Sequence, residues 1–406
     1  MAVADRCMKH EVCRIGGGKL IDVLDLGDIY LNDFLAPGDS PPEAYPLTLC
    51  YSPESELVQL RHTVDPELMY RRYWYNSGTN ESMVRHLREI VSRILENVSL
   101  KHGDIVVDIG CNDGTLLAAY PKGLGLQTFG FDPAENLSPH ATWFVNDFFT
   151  SRAYNLASLP RTKVVTSIAM FYDIEKPVEF ACDVNQILHD EGLWVLEMHY
   201  LPKMLEHAEV DAICHEHLMY YSLKSLSYVL HQAGFEVVDV ELNNTNGGSM
   251  LVLAKKKHRA SSVSPRVREL LDREAATPIR ERLEIFSKQV KENKTDLRIL
   301  LESKYSFGYS VLGYGASTKG NTLLQYCEIG PDLLPYIADR NPAKWGRKTV
   351  GSNIPIISEE EARSMLPDYF FALPYHFIDS FMKRESDFLN QGGRFIVPVP
   401  TPRVFV

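Results

Sequence analysis

Residues 106–117 read Val-Val-Asp-Ile-Gly-Cys-Asn-Asp-Gly-Thr-Leu-Leu: an apolar run ends in an acid, turns on glycine and resumes with helical spacing. An apolar run without alternation suits a strand buried on both faces, and the glycine turn into a helix predicts the opening unit of a doubly wound sheet. Further strand patterns follow at 128–131, 163–169, 193–197, 235–240 and 250–254. Spacing at 83–95 predicts an amphipathic helix packed beside the first strand. Upstream, residues 1–65 carry Gly, Pro and short alternating runs at 19–26 and 57–60, which predict a small β-rich module. The charge run Lys255-Lys-Lys-His258 is expected to be solvated surface. Residues 265–303 read as one or two polar connecting helices, clearest over 280–301. Beyond them, 309–321 repeats the strand, glycine turn and helix, 334–339 gives a second strand ending in an acid, and 394–397 is the expected last strand. The fold class is therefore α/β, divided as 1–65, 66–258 and 259–406.

Length changes this picture little: 406 residues exceed one ordinary core and suit two or three domains. No apolar run approaches the roughly 18 residues of a membrane span, and the first residues lack a signal-peptide core, so a cytoplasmic protein without a membrane partner is expected. A net charge of −11 argues against an electrostatic grip on nucleic acid. Seven cysteines, an odd number in mostly apolar surroundings, fit free thiols in a reducing compartment.

The turn Asp108-x-Gly110-x-Asn112-Asp113-Gly114 is not the Gly-x-Gly-x-x-Gly of a phosphate-binding loop; its side-chain oxygens suit a cofactor with a positive centre and no pyrophosphate. Asp132 ends the second strand, where a carboxylate accepts the hydroxyls of a ribose. Phe148, in the segment 145–149, is expected on a third strand, stacking an adenine. The densest polar cluster is Asp211-Ala-Ile-Cys-His-Glu-His-Leu-Met-Tyr-Tyr-Ser222, where His215 and His217 flank Glu216, with Cys214 and Tyr221 as further acceptor contacts. It suits acid/base catalysis; a structural loop is the other reading, and a metal lacks a third ligand at helical spacing. The stretch Tyr70-Arg-Arg-Tyr-Trp-Tyr-Asn-Ser-Gly-Thr-Asn80, with Tyr73, Tyr75 and Asn80, serves either to hold a polyhydroxylated ligand or as an aromatic hinge. Residues 243–249 read as a tight turn or, alternatively, as a polar wall. Lys319 stands where a turn into a helix addresses an anion such as a substrate phosphate, or is simply exposed.

The order of glycine turn, ribose acid and adenine segment resembles the class I S-adenosylmethionine-dependent methyltransferases. Together with Ile213-Cys-His-Glu-His217, Tyr314-Gly-Ala-Ser-Thr-Lys-Gly-Asn321 and Gly392-Gly-Arg-Phe-Ile-Val-Pro398, it resembles the sugar C-methyltransferase family along essentially the whole chain. The resemblance implies a methyltransferase doubly wound sheet, a Rossmann-like C-terminal domain, S-adenosylmethionine as cofactor and a nucleotide-linked 4-ketosugar as substrate. It implies His217 as the base beside a ketone, Glu216 as an orienting acid, Tyr75 over the sugar, and no metal in the reaction. Three departures stand out. Cys214 replaces a tyrosine, Tyr172 and Asp173 stand where a histidine is usual, and the family's two Cys-x-x-Cys zinc pairs have become His10 with Cys13 and Ser52 with Ser55. Hydroxyls are poor zinc ligands, so even with Cys7 and Cys50 to recruit the site is expected to be vacant. These departures leave room for a methyltransferase of another small metabolite, acting on oxygen, nitrogen or carbon, or for a non-catalytic binding homologue.

Overall fold

The computed structural model describes residues 6–259 and 262–405. Strand Ile105–Ile109 explains why its sequence is apolar throughout. Ile105, Val107 and Ile109 face one core with Val184, Leu226 and Leu230, while Val106 faces another with Leu87, Ile90 and Ile94 of helix Glu81–Asn97. That helix starts on the Asn80 side chain, which accepts the Ser82 N–H.

Seven strands form the central sheet in the spatial order Phe235–Asn243, Ser249–Lys256, Leu188–His199, Thr162–Ile168, Ile105–Ile109, Gln127–Phe131 and Trp143–Val145. Ser249–Lys256 runs antiparallel to both neighbours and the rest are parallel. The chain order reverses beside Ile105–Ile109, and the crevice beyond its C-terminal end is where such sheets take ligands. Two details correct the sequence reading. The third strand stops at Val145, so Phe148 stands in the following loop. Lys256 is not solvated: it is buried, with its ammonium 3.3 Å from Asp190.

The N-terminal module is a four-stranded antiparallel sheet built from Ile21–Tyr30, Ala44–Tyr51, Val58–Leu60 and a strand from far along the chain, Met219–Tyr220. A module of this size buries little by itself. Its Leu24, Leu47 and Leu49 share one core with Phe286 of the connecting helix Ile279–Ser306 and with Leu323 and Ile337 of the last domain. A shorter helix, Pro265–Ala275, precedes that connector. The C-terminal sheet has the order Ile356–Ser358, Ile337–Asp339, Val311–Tyr314, Tyr369–Ala372, Arg394–Val397 and Arg403–Phe405. Its last strand, antiparallel to Arg394–Val397, was not legible in the sequence. Among the described residues no helix is long and apolar enough to cross a membrane.

Candidate functional site

All three parts of the chain line one cavity of about 1090 Å³ above the C-terminal ends of the central strands. At one end lies the turn after Ile105–Ile109. Gly110 takes a positive φ of 74° there, and a Cβ would press on Met170 at 3.0 Å. Asp108 is buried, accepts the Thr166 hydroxyl, and is pushed by burial up to about 7. Asp132 accepts the N–H of Asn112 at 2.8 Å and of Ala134 at 2.9 Å, and burial raises its pKa too. Among the described residues neither acid has a cationic partner, so a ligand carrying positive charge and hydroxyls fits this end of the cavity. Phe148 lines the same end, under Arg71 at 5.3 Å from the ring centre. Asn112 lines it as well, with its amide committed to the chain: Oδ1 accepts the Ser77 N–H and Nδ2 donates to the Tyr75 carbonyl. The turn thus holds the segment carrying Tyr75 over the cavity. Asn80 also faces the cavity while it caps its helix.

The other end is lined by phenols and carboxyls whose pKa values burial raises. The phenols of Tyr73 and Tyr172 lie well above their ordinary pKa, and that of Tyr75 is pushed up to about 12, first by burial and then by nearby Asp113. Asp173 and Glu216 are both raised by burial, Asp173 further by the charge of Glu216, and neither is ion-paired among the described residues. Tyr70 donates its hydroxyl to the Glu216 carbonyl at 2.8 Å. His217 Nδ1 is 3.0 Å from the Ala212 carbonyl, its ring stands edge-on to Tyr172 with centres 4.5 Å apart, and burial together with Lys319 lowers its pKa to about 3. Cys214 lines the cavity as a protonated thiol, raised by burial and by Glu216. Lys319, on the first turn of helix Thr318–Tyr326, enters from the C-terminal domain.

Three expected site residues are not brought to the cavity. His215 turns into the N-terminal module, its Nε2 3.1 Å from the Tyr45 carbonyl, because the loop between His215 and His217 reverses and is not a strand. Tyr221 is fully buried with its ring stacked on Phe171 and its hydroxyl on the Met219 sulfur. Gly114 serves a close passage of chain, since a Cβ would stand 2.7 Å from the His140 nitrogen.

Conversely, Asn32, Glu197, His199 and His376 line the cavity without having been singled out. Asn32 reaches in from the module and donates to both Glu216 oxygens, at 3.3 and 3.4 Å. Glu197 accepts from Asn243 at 2.8 Å and pairs with His86 at 2.7 Å. His199 stands 2.8 Å from Glu209. Burial would raise that carboxyl, but hydrogen bonds to His199 and His207 outweigh burial and hold it at about 2. Glu197 and His199 had a readable signal, being polar positions at the C-terminal end of a central strand. Asn32 had none. Among the described residues no group of three His, Cys, Asp or Glu side chains is placed to hold a metal ion.

Comparison with known proteins follows the same three parts. The chain matches a methyltransferase domain over residues 80–240, a C-methyltransferase C-terminal domain over 244–400, and a domain named for zinc binding over 13–70. It is 32% identical to the C-methyltransferase NovU of Streptomyces niveus, across 97% of this chain and 96% of that one. Among solved structures, magnesium protoporphyrin IX methyltransferase (ChlM) from Synechocystis PCC 6803 is 13% identical, with 43% of this chain and 87% of its own covered at a TM-score of 0.33. Mycolic acid cyclopropane synthase CmaA1 is 12% identical, with 47% and 91% covered at 0.34. The match to NovU along nearly the whole of both chains shows that this chain belongs to the C-methyltransferase family, and it is an S-adenosylmethionine-dependent methyltransferase.

Proposed function

We propose that the enzyme methylates the carbon beside a ketone on a nucleotide-linked deoxysugar, in a reducing, cytoplasmic setting that suits its seven free cysteines. The observation that carries this reading is the setting of His217. A carbonyl oxygen only accepts, so the contact to Ala212 assigns the proton to Nδ1 and leaves Nε2 with a free lone pair. Burial keeps the ring neutral and therefore able to take a proton from carbon. A base held near pKa 3 is weak, so the enolate oxygen needs strong donors. The phenol hydroxyls of Tyr73, Tyr75 and Tyr172 line the cavity as donors, and Asp173, whose carboxyl is raised by burial and by the charge of Glu216, stands on the same side where Cys214 offers no hydroxyl. Asn32 and Tyr70 steady Glu216, and Lys319 at its helix N-terminus suits a substrate phosphate.

Bound S-adenosylmethionine would contribute the electrophilic methyl. Asp108 and Asp132, buried without a cation, suit its positive charge and its ribose. The test is incubation with S-adenosylmethionine and a panel of nucleotide-linked 4-ketosugars, read by mass spectrometry for one added methyl group and by uptake of solvent deuterium beside the ketone. Methylation with exchange is expected. Cys214 and Asp173 favour a second reading, transfer to oxygen or nitrogen of another small metabolite; cofactor binding with neither exchange nor methylated ketosugar would select it.

A further inference from the structure

The match over residues 13–70 is to a domain named for zinc binding, yet the residues present do not fit the ion. Two tight turns still face each other. Cys13 N–H donates to Gly18 and Gly17 N–H to Cys13, at 2.8 and 2.9 Å; Ser52 N–H donates to Leu57 and Glu56 N–H to Ser52, at 3.0 and 2.9 Å. Paired turns of this kind present thiolates to a tetrahedral zinc. Here Cys13 Sγ lies 3.1 Å from Ser55 Oγ, and Ser52 Oγ donates to Glu54 at 3.0 Å. His10 has turned away, with Nε2 2.9 Å from Thr63 Oγ1 and 3.2 Å from Glu175 Oε1. The other nearby thiol, Cys50, is buried, donates to the Gln59 carbonyl at 3.3 Å and is pushed up to about 12 by burial, so Cys13 among committed hydroxyls is a poor zinc set.

Those same residues fasten the module elsewhere. Arg14, almost wholly buried, sends Nε to Glu175 Oε2 at 3.2 Å, and its terminal nitrogens to the Leu60 carbonyl and Thr63 Oγ1, each at 2.6 Å. Thr63 in turn donates to Glu175. Three side chains of the module thus converge on one carboxylate of the methyltransferase domain. Glu175 closes the loop that carries Tyr172, packed on His217, and Asp173.

We infer that the module of this chain is zinc-free, and that Glu175, gripped by His10, Arg14 and Thr63, is a positioning residue for the Tyr172 and Asp173 edge of the cavity. What that edge does for an acceptor rests on the ketosugar reading above; the absence of zinc and the grip on the loop do not.

The purified full-length protein should contain far less than one zinc per chain, and its melting temperature should not move with a chelator. Stoichiometric zinc that survives dialysis, with a chelator-induced fall in melting temperature, overturns the first half. For the second half, Thr63→Val keeps the shape and removes the linking hydroxyl, whereas Thr63→Ser keeps it. Hydrogen exchange followed by mass spectrometry should show faster uptake in residues 169–176 for Thr63→Val, little change elsewhere, and wild-type behaviour for Thr63→Ser. Unchanged uptake in that loop overturns the positioning role. With an acceptor in hand, Thr63→Val should raise its KM several-fold and leave affinity for S-adenosylmethionine unchanged. If no ketosugar is turned over while loop and zinc results hold, the substrate reading fails and this one stands.

Discussion

In the methyltransferase domain Gly110 N–H donates to the Phe131 carbonyl at 2.8 Å, and in the C-terminal domain Gly315 N–H donates to the Ala338 carbonyl at the same distance. The correspondence continues at the acids. Asp132 accepts the N–H of Asn112 and of Ala134 at 2.8 and 2.9 Å; Asp339 accepts the N–H of Ala316 and of Asn341 at 2.8 and 2.7 Å. What differs is the content of the crook. Beside Asp339 the chain has placed its own cation: Lys344 Nζ is 3.6 Å from the carboxylate and donates to the Ala316 carbonyl at 2.7 Å. Trp345 donates its Nε1 to the Asp339 carbonyl at 2.8 Å. Burial lowers the Lys344 pKa even against the pull of Asp339. Beside Asp108 and Asp132 no side chain does this among the described residues. Strand, turn and acid therefore make a scaffold common to both domains, and what separates the two is whether a cation of the chain itself stands beside the buried acid.

That contrast is open to attack. The largest effect is expected at the open copy's cavity: His217→Ala should lower turnover by about 10² to 10⁴-fold, with S-adenosylmethionine affinity unchanged in a calorimetric titration. Retained turnover would move the chemistry off this residue. Next, Asp132→Ala should weaken S-adenosylmethionine binding by about 2 kcal/mol or more, the scale of hydrogen bonds to a charged group. Asp339→Ala should leave that affinity alone and lower the melting temperature; equal losses in both variants would erase the distinction. Lys344→Met should cost about 1–3 kcal/mol in denaturant unfolding, because Asp339 is left buried without its cation.

The smallest effect is on pH dependence. Burial holds the Asp108 carboxyl at about 7, so between its unfolded pKa, about 4, and that value the folded chain keeps a proton the unfolded chain has lost. This group's contribution to stability is whole below about pH 4 and falls as pH rises toward 7. Melting curves across that range should fall less steeply for Asp108→Asn than for the native chain, and saturating S-adenosylmethionine should flatten the native curve. Parallel curves would deny that Asp108 carries a raised pKa in the folded chain.

The open copy was legible in the sequence because its signals are local: an apolar strand, an acid, a glycine and a helix within a dozen residues, with Asp132 at the next strand end. His217 and Lys319 were found through residue type, and they meet only because the last domain folds back over the central sheet. Long-range geometry hid the rest. His215 looked equivalent to His217 until the loop reversed, Asn32 reaches Glu216 across 184 positions, and Lys344 gave no sign that it fills a cradle. The charge of Lys256 suggested surface, and only the sheet buries it against Asp190.

The strand Met219–Tyr220 gives the module a dependence in time. The ribosome releases Val58–Leu60 long before Met219 exists, so during synthesis the module's sheet waits with one edge unpaired, the arrangement most prone to wrong pairing. A fragment ending before that strand inherits the same exposed edge permanently. Exchange of modules between relatives is constrained as well, since the piece that completes the sheet begins two residues after His217 and travels with it.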